Sequence, residues 1–354
     1  MPDKRFLNIS HYNGLRIKLV LFIAVFWTAI DLVISWLNTS GETHVHTFWY
    51  REIFIFLVSI IVGYLFVYRL KRLFEHLPLW LSFLLRSFIL LALAFTIVFI
   101  LQLFNGIVFD GLNFSDAVGN LKSYALYQNW LVRKIIYWLS IFFVTQLILI
   151  INEKYSPSVF VDILTGKYSK PQQERRIVMF MDLRDSTPIA EKLGHHLYFQ
   201  FIRDFIYQVS KAIIECEGTI YQYVGDEVVC SWPATRRNAK KCLTTILQSR
   251  RNIHHQSEKF RRKYGVIPEF RVGIHAGEVS VGEIGIMKKD LAMSGDTMNT
   301  TARIRSACNE LKHHFVVSKD FIELTHLHDY QYASLGNIDL KGKDKGIELF
   351  NLKI

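Results

Sequence analysis

The sequence predicts two parts of different fold class: an N-terminal transmembrane domain of four helices, and a C-terminal α+β domain in which a mostly antiparallel sheet carries packed helices. Long apolar runs are confined to the first 154 of the 354 residues. In the remainder, helical periodicity alternates with hairpin signals, which is typical of an α+β fold. The composition agrees, because 51% of the residues are hydrophobic and the mean hydropathy is +0.19.

Four apolar runs are long enough to cross a bilayer, which takes about 20 residues, with somewhat shorter runs tolerated. The predicted spans are residues 19–37, 53–68, 79–101 and 135–151. No small-residue cleavage site follows the first run, so it is interpreted as an anchor and not as a signal peptide. Basic residues concentrate on the side of both termini, which predicts a multi-pass protein of the plasma (inner) membrane with cytoplasmic termini and a cytoplasmic C-terminal domain. Asp31 and Arg86 are charges inside spans, and such charges commonly mark functional positions.

The charge distribution and the cysteines restrict the partners and the compartment. Residues 1–154 carry 13 basic and 8 acidic side chains, and the rest carries 29 and 23, so the net charge of +11 forms no single stripe. We therefore expect no nucleic-acid partner, which would favour a clustered basic face, and expect contact with a lipid bilayer. All four cysteines lie in the second part without CxxC spacing, which indicates a reducing cytosolic compartment.

The second part is predicted to consist of a linker over residues 155–173 and a domain over residues 174–354. Proline and glycine punctuate the linker, and the Gly225-Asp226 dipeptide predicts a hairpin turn. The predicted elements in chain order are strand 176–182, helix 187–215, strands 219–224 and 227–232, helix 236–263, strands 269–275, 278–284 and 288–293, helix 296–308, strand 314–317, helix 319–325 and a closing hairpin around the "LKGKDKG" segment.

Two aspartates end apolar, strand-like segments of this domain. Asp182 follows the run at 177–181, and Asp226 lies inside "YQYVGDEVV". If the first strand lies beside the hairpin, the two carboxylates converge and repel each other. A divalent cation would remove that repulsion, and Mg²⁺ typically binds one or two carboxylates together with phosphate oxygens. The alternative is an aspartate that hydrogen-bonds to the backbone of its own turn.

Two further groups of residues suit a polyphosphate ligand. Ser186 and Thr187 lie at a predicted helix start, where free amides and the helix dipole favour anions. Asn299 and Arg303 are four residues apart and so share one helical face, where they can orient a ribose oxygen and neutralise phosphate charge. The alternatives are an ordinary helix cap for the first pair and solvated surface for the second.

Five segments in a fixed order resemble the class III nucleotide cyclase catalytic domain over about residues 174–352. These segments are "FMDLRDST", "YQYVGDEVV", "FRVGIHAGEVSVGEIG", "SGDTMNTTARI" and "LKGK". The layout of four spans and one such domain is also similar to membrane-bound bacterial adenylate cyclases. The resemblance implies a ferredoxin-like core and the conversion of ATP to 3′,5′-cyclic AMP and pyrophosphate by a two-metal in-line displacement.

The resemblance also implies a role for individual residues. Asp182 and Asp226 would hold two Mg²⁺ or Mn²⁺ ions, with the Leu183 carbonyl as a further ligand. Asn299 would orient the ribose, and Arg303 would stabilise the α-phosphorus in the transition state. The other implied substrate contacts are Arg184, Asp185, Ser186, Thr187, Gly225, Lys341 and Lys343. In this family the asparagine and arginine act across a dimer interface from the aspartates, which implies a homodimer with two sites.

The purine-selecting positions depart from the family pattern. Adenine-selecting cyclases usually have a lysine four residues before the second metal aspartate and an aspartate seven residues before the helix asparagine, where this chain has Gln222 and Ala292. A glutamine amide can bond a purine edge, whereas alanine cannot. ATP is the favoured substrate, and a guanylate cyclase using GTP is one alternative. A catalytically inactive nucleotide-binding receptor is another, which the presence of both aspartates, Asn299 and Arg303 opposes.

Overall fold

The structure is a computed structural model of the chain. It describes residues 11–38, 45–70, 73–74, 76–108, 111–126, 130–154, 162, 165–286, 290–325, 327, 331–339 and 346–354. One compact unit comprises Asn13–Tyr155, and the other contains Ser156–Ile354. Lys341 and Lys343, two of the implied phosphate contacts, lie outside the described residues.

The first unit is built from helices. They are α1 (His11–Asn38), α2 (Val45–Leu65, continued by a π-helical turn over Phe66–Leu70), α3 (Leu79–Val108), α4 (Phe114–Leu126) and α5 (Trp130–Lys154). Within the described part of the chain, four segments are long and apolar enough to cross a membrane: Asn13–Ile34, Glu52–Leu70, Leu79–Val108 and Val132–Ile151. These correspond to the four predicted spans. The short helix α4 was not predicted, because its mixed polar sequence contains no spanning run.

Hydrogen bonds between helices satisfy polar side chains in the interior of this bundle. The Trp27 indole Nε1 donates to Thr145 Oγ1 at 2.9 Å, and Gln146 Nε2 donates to Ser87 Oγ at 2.7 Å. Hydrocarbon offers no water as an alternative partner, so such bonds help to hold membrane helices together. The outer faces remain apolar as well, with Phe88 71% exposed, as expected for helices that face lipid.

The second unit is a mixed sheet with helices on both faces. Its strands are β1 (Gln172–Leu183), β2 (Thr219–Val224), β3 (Glu227–Pro233), β4 (Phe270–Ile284), β5 (Asp290–Ser294), β6 (Phe315–Ser318), β7 (Tyr332–Ile338) and β8 (Ile347–Leu352). The strand order is β2-β3-β1-β4-β6-β8-β7, and β5 pairs with β4. The pairing of β4 with β6 is parallel and the other pairings are antiparallel. The predicted fold class, four apolar helices followed by a mostly antiparallel α+β domain, is confirmed.

Side-chain alternation along β1 divides the core between the two faces of the sheet. The helices of this unit are α6 (Ser186–Glu215), α7 (Arg236–His255), α8 (Ser257–Tyr264), α9 (Asp296–Glu310) and α10 (Lys319–Thr325). Ile177, Met179 and Met181 face a core shared with α6, α7, α8 and α10. Val178 and Phe180 lie on the opposite face, together with residues of α9. Because the alternation has a period of two, Asp182 also lies on the α9 face.

Two predicted boundaries in this unit were wrong. The expected strands 269–275 and 278–284 form the single strand β4, which pairs with β1 without interruption from Gln172↔Val281 to Leu183↔Phe270. Gly277, which lies between the two expected strands, allows close packing, since a Cβ there would lie 2.5 Å from Thr297 Oγ1 of α9. The expected helix 236–263 is broken at Gln256 into α7 and α8.

Candidate active site

Strand pairing brings the two predicted metal aspartates to the same end of the sheet. Asp182 lies directly opposite Glu227 in the antiparallel pairing of β1 with β3. Opposed residues in such a pair have Cα atoms about 4.5–5.5 Å apart. Asp226 precedes Glu227 in the turn that joins β2 to β3. The two aspartates therefore approach each other as a consequence of register, although they are distant in sequence.

The electrostatics of this carboxylate pair fit a divalent cation. Burial raises the pKa of the Asp182 carboxyl; the Arg305 guanidinium opposes that rise, and the negative charge of Asp226 adds to it. Asp226 Oδ2 is buried and has no hydrogen-bond donor among the described residues. A buried carboxylate oxygen without a partner is costly, and a bound Mg²⁺ or Mn²⁺ would compensate both carboxylates.

The protein supplies only part of a metal coordination shell at this point. Across the described ranges, no three His, Cys, Asp or Glu side chains are grouped as a metal-ligand set. The remaining ligands would be oxygen atoms from the backbone, for which the Leu183 carbonyl is the candidate, and from substrate phosphates. Mg²⁺ is commonly bound in this way, by one or two carboxylates together with phosphate oxygens.

Arg305 connects the carboxylate cluster to α9, a contact that no sequence motif indicated. Its Nε lies 2.6 Å from Glu227 Oε2, and its Nη1 lies 3.5 Å from Asp182 Oδ2. Burial raises the pKa of the Glu227 carboxyl, and the Arg305 charge opposes this rise. The backbone of α9 is tightly packed here, because a Cβ at Gly273 would lie 2.7 Å from Arg305 Cα. Arg305 thus holds Asp182 and Glu227 from the same chain.

Asn299 and Arg303 lie on a different side of α9 from Arg305. Two residues along an α-helix are separated by about 200° around the axis, so Arg303 is directed nearly opposite to Arg305. Asn299 is exposed and precedes Arg303 by one turn on the same side. Since Arg305 faces Asp182, the Asn299–Arg303 side of α9 is turned away from the carboxylates of its own chain.

The turn after Asp182 has the backbone conformation of an anion-binding site. Asp185 is in the left-handed region, with φ 54° and ψ 37°, and α6 begins at the next residue. Such conformations are uncommon outside glycine and cluster at functional sites. A left-handed residue before a helix start directs successive amides toward one point, here those around Ser186 and Thr187. The Asp185 side chain makes no capping bond, which argues against the ordinary cap considered above.

The side chains of Arg184 and Asp185 are already engaged with other elements. Arg184 Nη1 donates to Glu269 Oε2 at 2.7 Å, and Arg271 Nη2 donates to Asp185 Oδ1 at 3.4 Å. Any contribution of these two residues to anion binding would therefore come chiefly from the backbone. Gly225, on the other side of the carboxylates, has φ 62° and open space around it, as the turn requires.

Tyr198 is a second residue that the motifs did not indicate. Burial raises the pKa of its hydroxyl, the charges of Asp226 and Asp182 raise it further, and a hydrogen bond with Ser186 opposes the rise. Tyr198 therefore lies near both carboxylates and the start of α6. No spacing signal in the sequence relates Tyr198 to these residues, because its position follows from the folding of α6 over the sheet.

The two positions that are predicted to select the purine lie on β2 and β5, and a hydrogen bond joins these strands. Gln222 is exposed on β2, and Ala292 is half-buried on β5. Between them, the Met293 backbone N–H donates to the Tyr221 hydroxyl at 2.8 Å. Each partner of this bond is the chain neighbour of one purine-selecting position. The bond fixes the relation between β2 and β5, a link that the sequence analysis did not predict.

The family of the chain follows from comparison with known proteins. The model of the adenylate and guanylate cyclase catalytic domain matches residues 168–353, more than half of the chain. The chain therefore belongs to this family, and the resemblance of the five segments is confirmed. A bacterial light-regulated adenylyl cyclase of known structure is similar in fold, with a TM-score of 0.54 at 18% identity over 64% of this chain and 66% of that one.

Two curated relatives have sequence similarity beyond short motifs. Adenylate cyclase 2 of Rhizobium meliloti (strain 1021) is 30% identical over 207 residues, which cover 58% of this chain and 57% of that protein. The adenylate cyclase of Anabaena cylindrica is 22% identical over 214 residues, covering 57% of this chain and 42% of that protein. The chain thus spans about half the length of these relatives.

Proposed function

We propose that this chain is a membrane-bound adenylate cyclase that converts ATP to cyclic AMP and pyrophosphate. The observation that carries the proposal is the convergence of Asp182 and Asp226 beside the start of α6, with a buried oxygen of Asp226 that has no donor among the described residues. Family membership supports nucleotide cyclisation as the reaction class, and the names of the two curated relatives support ATP as the substrate.

Asp182 and Asp226 would hold two Mg²⁺ or Mn²⁺ ions, with the Leu183 carbonyl as a further ligand. When bound, the metal ions lower the pKa of the ribose 3′-hydroxyl and neutralise charge on the leaving pyrophosphate. The raised pKa of the Asp182 carboxyl supports this assignment. Burial and the neighbouring Asp226 charge both disfavour the ionised carboxylate, and a bound cation would stabilise it. Arg305 supplies part of that positive charge from within the chain.

The protein groups would bind the polyphosphate, orient the ribose and stabilise the transition state. Amides at the start of α6, near Ser186 and Thr187, would bind the β- and γ-phosphates, and Lys341 or Lys343 would add a further contact. Asn299 would hold the ribose so that its 3′-oxygen attacks the α-phosphorus in line with the leaving group. The bond between the 3′-oxygen and the α-phosphorus would form as the bond from the α-phosphorus to pyrophosphate breaks, and the hydroxyl proton would pass to solvent. Arg303 would stabilise the charge on the α-phosphoryl oxygens.

A homodimer would complete the site. The Asn299–Arg303 side of α9 is turned away from Asp182 of its own chain, so these residues would serve the carboxylates of a second copy. A symmetric dimer would then contain two equivalent sites. Tyr223 and Val224, next to Asp226 on the hairpin, are 52% and 50% exposed, and their apolar surface suits contact with a partner chain.

The four apolar helices would place the enzyme in the plasma (inner) membrane, with the termini and the catalytic domain in the cytoplasm. The bias of basic residues toward one side of the spans supports this orientation. The four cysteines, all free and buried, suit a reducing compartment.

A guanylate cyclase is the second candidate, and Gln222 favours it. Gln222 is exposed at the position where adenine-selecting relatives have lysine, and its amide can both donate to and accept from a purine edge. Ala292 has no polar group with which to favour adenine. The choice between ATP and GTP therefore depends on which purine the Gln222 amide and the backbone around it accept.

The test is cyclic-nucleotide formation by the purified full chain with Mn²⁺, supplied with ATP and GTP separately. We expect cyclic AMP from the wild type and at least a thousandfold loss in Asp226→Ala, whereas Glu258→Ala, which removes a carboxylate that is 66% exposed on α8, should retain full activity. Cyclic GMP alone would favour the second candidate. A folded wild type that forms neither product would contradict both.

A further inference from the structure

A cavity of about 290 Å³ lies inside the helix bundle of the first unit. Residues of α1, α2, α3 and α5 line it. Most of the lining side chains are apolar, and five of these are at most 8% exposed: Trp27, Val62, Leu90, Ala94 and Phe142. These side chains face the interior of the bundle, so the cavity is distinct from the outer surface that faces lipid.

Polar side chains of the cavity gather at one end. Asp31 and Asn105 lie toward the C-terminal ends of α1 and α3, and Lys134 lies near the N-terminal end of α5. Successive spans run in opposite directions, so these positions share the end of the bundle opposite to Lys154. Gln102, one turn before Asn105, belongs to the same end. The cavity thus has an apolar body and a polar end.

The polar end of the cavity contains one acidic and one basic side chain together with neutral hydrogen-bonding groups. The Tyr137 hydroxyl lies 3.5 Å from Asp31 Oδ1, and Lys134 Nζ lies 5.6 Å from the centroid of the Tyr137 ring. Gln102 and Asn105 add side-chain amides. Ionisable groups at membrane depth are costly and usually mark a functional site. Polar groups around an open apolar volume are typical of a ligand-binding site.

The size of the cavity restricts the ligand. Close-packed interiors leave few voids larger than one water molecule. A volume of 290 Å³ corresponds to about ten water volumes of about 30 Å³ each, and so to roughly ten non-hydrogen atoms. A whole phospholipid is too large for this space, and a single water molecule would leave most of the apolar wall without contacts.

The charges at the polar end restrict the head group. A carboxylate head would meet Asp31 as well as Lys134, and an ammonium head would meet Lys134 as well as Asp31, so neither charged head gains a net attraction from these two side chains. A neutral hydroxyl can donate to a carboxylate or an amide oxygen and accept from an ammonium or amide group. A hydroxyl-bearing chain therefore matches both the polar end and the apolar wall.

We propose that this cavity binds a small neutral amphiphile: an apolar chain of roughly ten non-hydrogen atoms with one hydroxyl-type head. The head lies among Asp31, Gln102 and Lys134, and the chain lies against Trp27 and Leu90. Binding at this site does not depend on the proposed cyclase activity.

The experiment uses the full chain in phosphatidylcholine nanodiscs with azioctanol, a photoreactive alcohol, followed by mass spectrometry of labelled peptides. We expect saturable labelling of cavity residues that excess octanol displaces. Octane, which lacks the head, should displace the label at least about tenfold less effectively, the loss expected for one buried hydrogen bond. Ala94→Phe, which fills the cavity, should reduce saturable labelling about tenfold. Ala92→Phe, two residues away with an exposed side chain, should not.

Three results would overturn the proposal. They are labelling that does not saturate, labelling confined to lipid-facing residues such as Phe88, and displacement by octane as effective as by octanol. Should Ala94→Phe fail to fold, the wild-type labelling map and the octane comparison decide the matter without it. No readout uses catalysis, so a chain that binds octanol but forms no cyclic nucleotide would contradict only the proposed function.

Discussion

At the residue scale, two arginines of α9 are expected to have different roles, one in stabilising the fold and one in acting on the substrate. Arg305 holds Glu227 and Asp182 within its own chain, at 2.6 Å and 3.5 Å. Arg303 lies about 200° away around the same helix and is proposed to act on the substrate of a second copy. The same substitution at each position should therefore have different consequences.

We expect Arg305→Met to lower the free energy of unfolding by about 2 kcal/mol, because the buried Glu227 carboxylate and the partly buried Asp182 carboxylate lose the Arg305 charge. The value is below that of a fully buried pair, since Arg305 retains 26% exposure. Thermal unfolding of the full chain in detergent should register a fall of about 4–8 °C.

Arg303→Met is the matched control on the same helix. It should change the unfolding temperature little while abolishing cyclic-nucleotide formation. Adding Glu227→Gln to Arg305→Met should recover part of the lost stability, because the two groups are coupled. Equal destabilisation by Arg303→Met and Arg305→Met would contradict the division of roles.

Base selection is also a residue-scale property. We expect Gln222→Lys combined with Ala292→Asp to raise the ratio of kcat/KM for ATP to that for GTP at least about tenfold, because lysine and aspartate are the residues that adenine-selecting cyclases usually have at these positions. Steady-state kinetics of the full chain with each nucleotide measure this ratio, and Gln222→Lys alone is the comparison. An unchanged ratio would show that other groups select the base.

At the element scale, an ionic contact joins α6 to α8 beneath the sheet. Asp204 accepts hydrogen bonds from the Tyr264 hydroxyl at 2.8 Å and from Lys263 Nζ at 3.3 Å. Burial alone would raise the pKa of Asp204, but the Tyr264 bond and the charges of Lys259 and Lys263 outweigh it and leave the pKa below its ordinary value. A lowered carboxyl pKa stabilises the fold above the unfolded-state pKa, and this stabilisation is lost as pH falls through the folded-state value.

Asp204→Asn should therefore reduce the unfolding temperature at neutral pH, with a loss of about 1–2 kcal/mol. The difference from wild type should shrink as the pH falls from the ordinary carboxyl pKa through the lowered folded-state pKa, because the wild-type carboxylate then becomes protonated. Thermal unfolding at a series of pH values measures this, with Glu258→Gln on α8 as the exposed control. A difference that persists unchanged in acid would exclude the ionic contact as its cause.

Secondary-structure elements were predicted correctly where the sequence pattern that specifies them is local. The hairpin of β2 and β3 was predicted correctly because its turn dipeptide and its alternation lie within a dozen residues. Strand β4 was predicted as two strands, whereas Gly277 lies within one strand and serves a contact with α9 that only the folded sheet creates. Arg305 and Tyr198 were missed for the same reason, since register and helix packing bring them to the carboxylates.

At the scale of the whole molecule, we propose that one chain does not contain a complete active site. The carboxylates and the proposed anion-binding turn lie on one side of the second unit, and the Asn299–Arg303 side of α9 faces elsewhere. Two inactive variants that lack different halves of the site should therefore complement each other.

The direct measurement is cyclic AMP formation after co-expression of full-length Asp182→Ala and Arg303→Ala chains with different affinity tags, with co-purification to establish mixed dimers. Each variant alone should be inactive. An equal mixture should recover about a quarter of wild-type activity, because half of the dimers are mixed and each holds one intact site of two. Asp182→Ala mixed with Asp226→Ala, which damages the same half twice, should stay inactive. Mixed dimers of the first pair that remain as inactive as the separate variants would contradict a site shared between two copies.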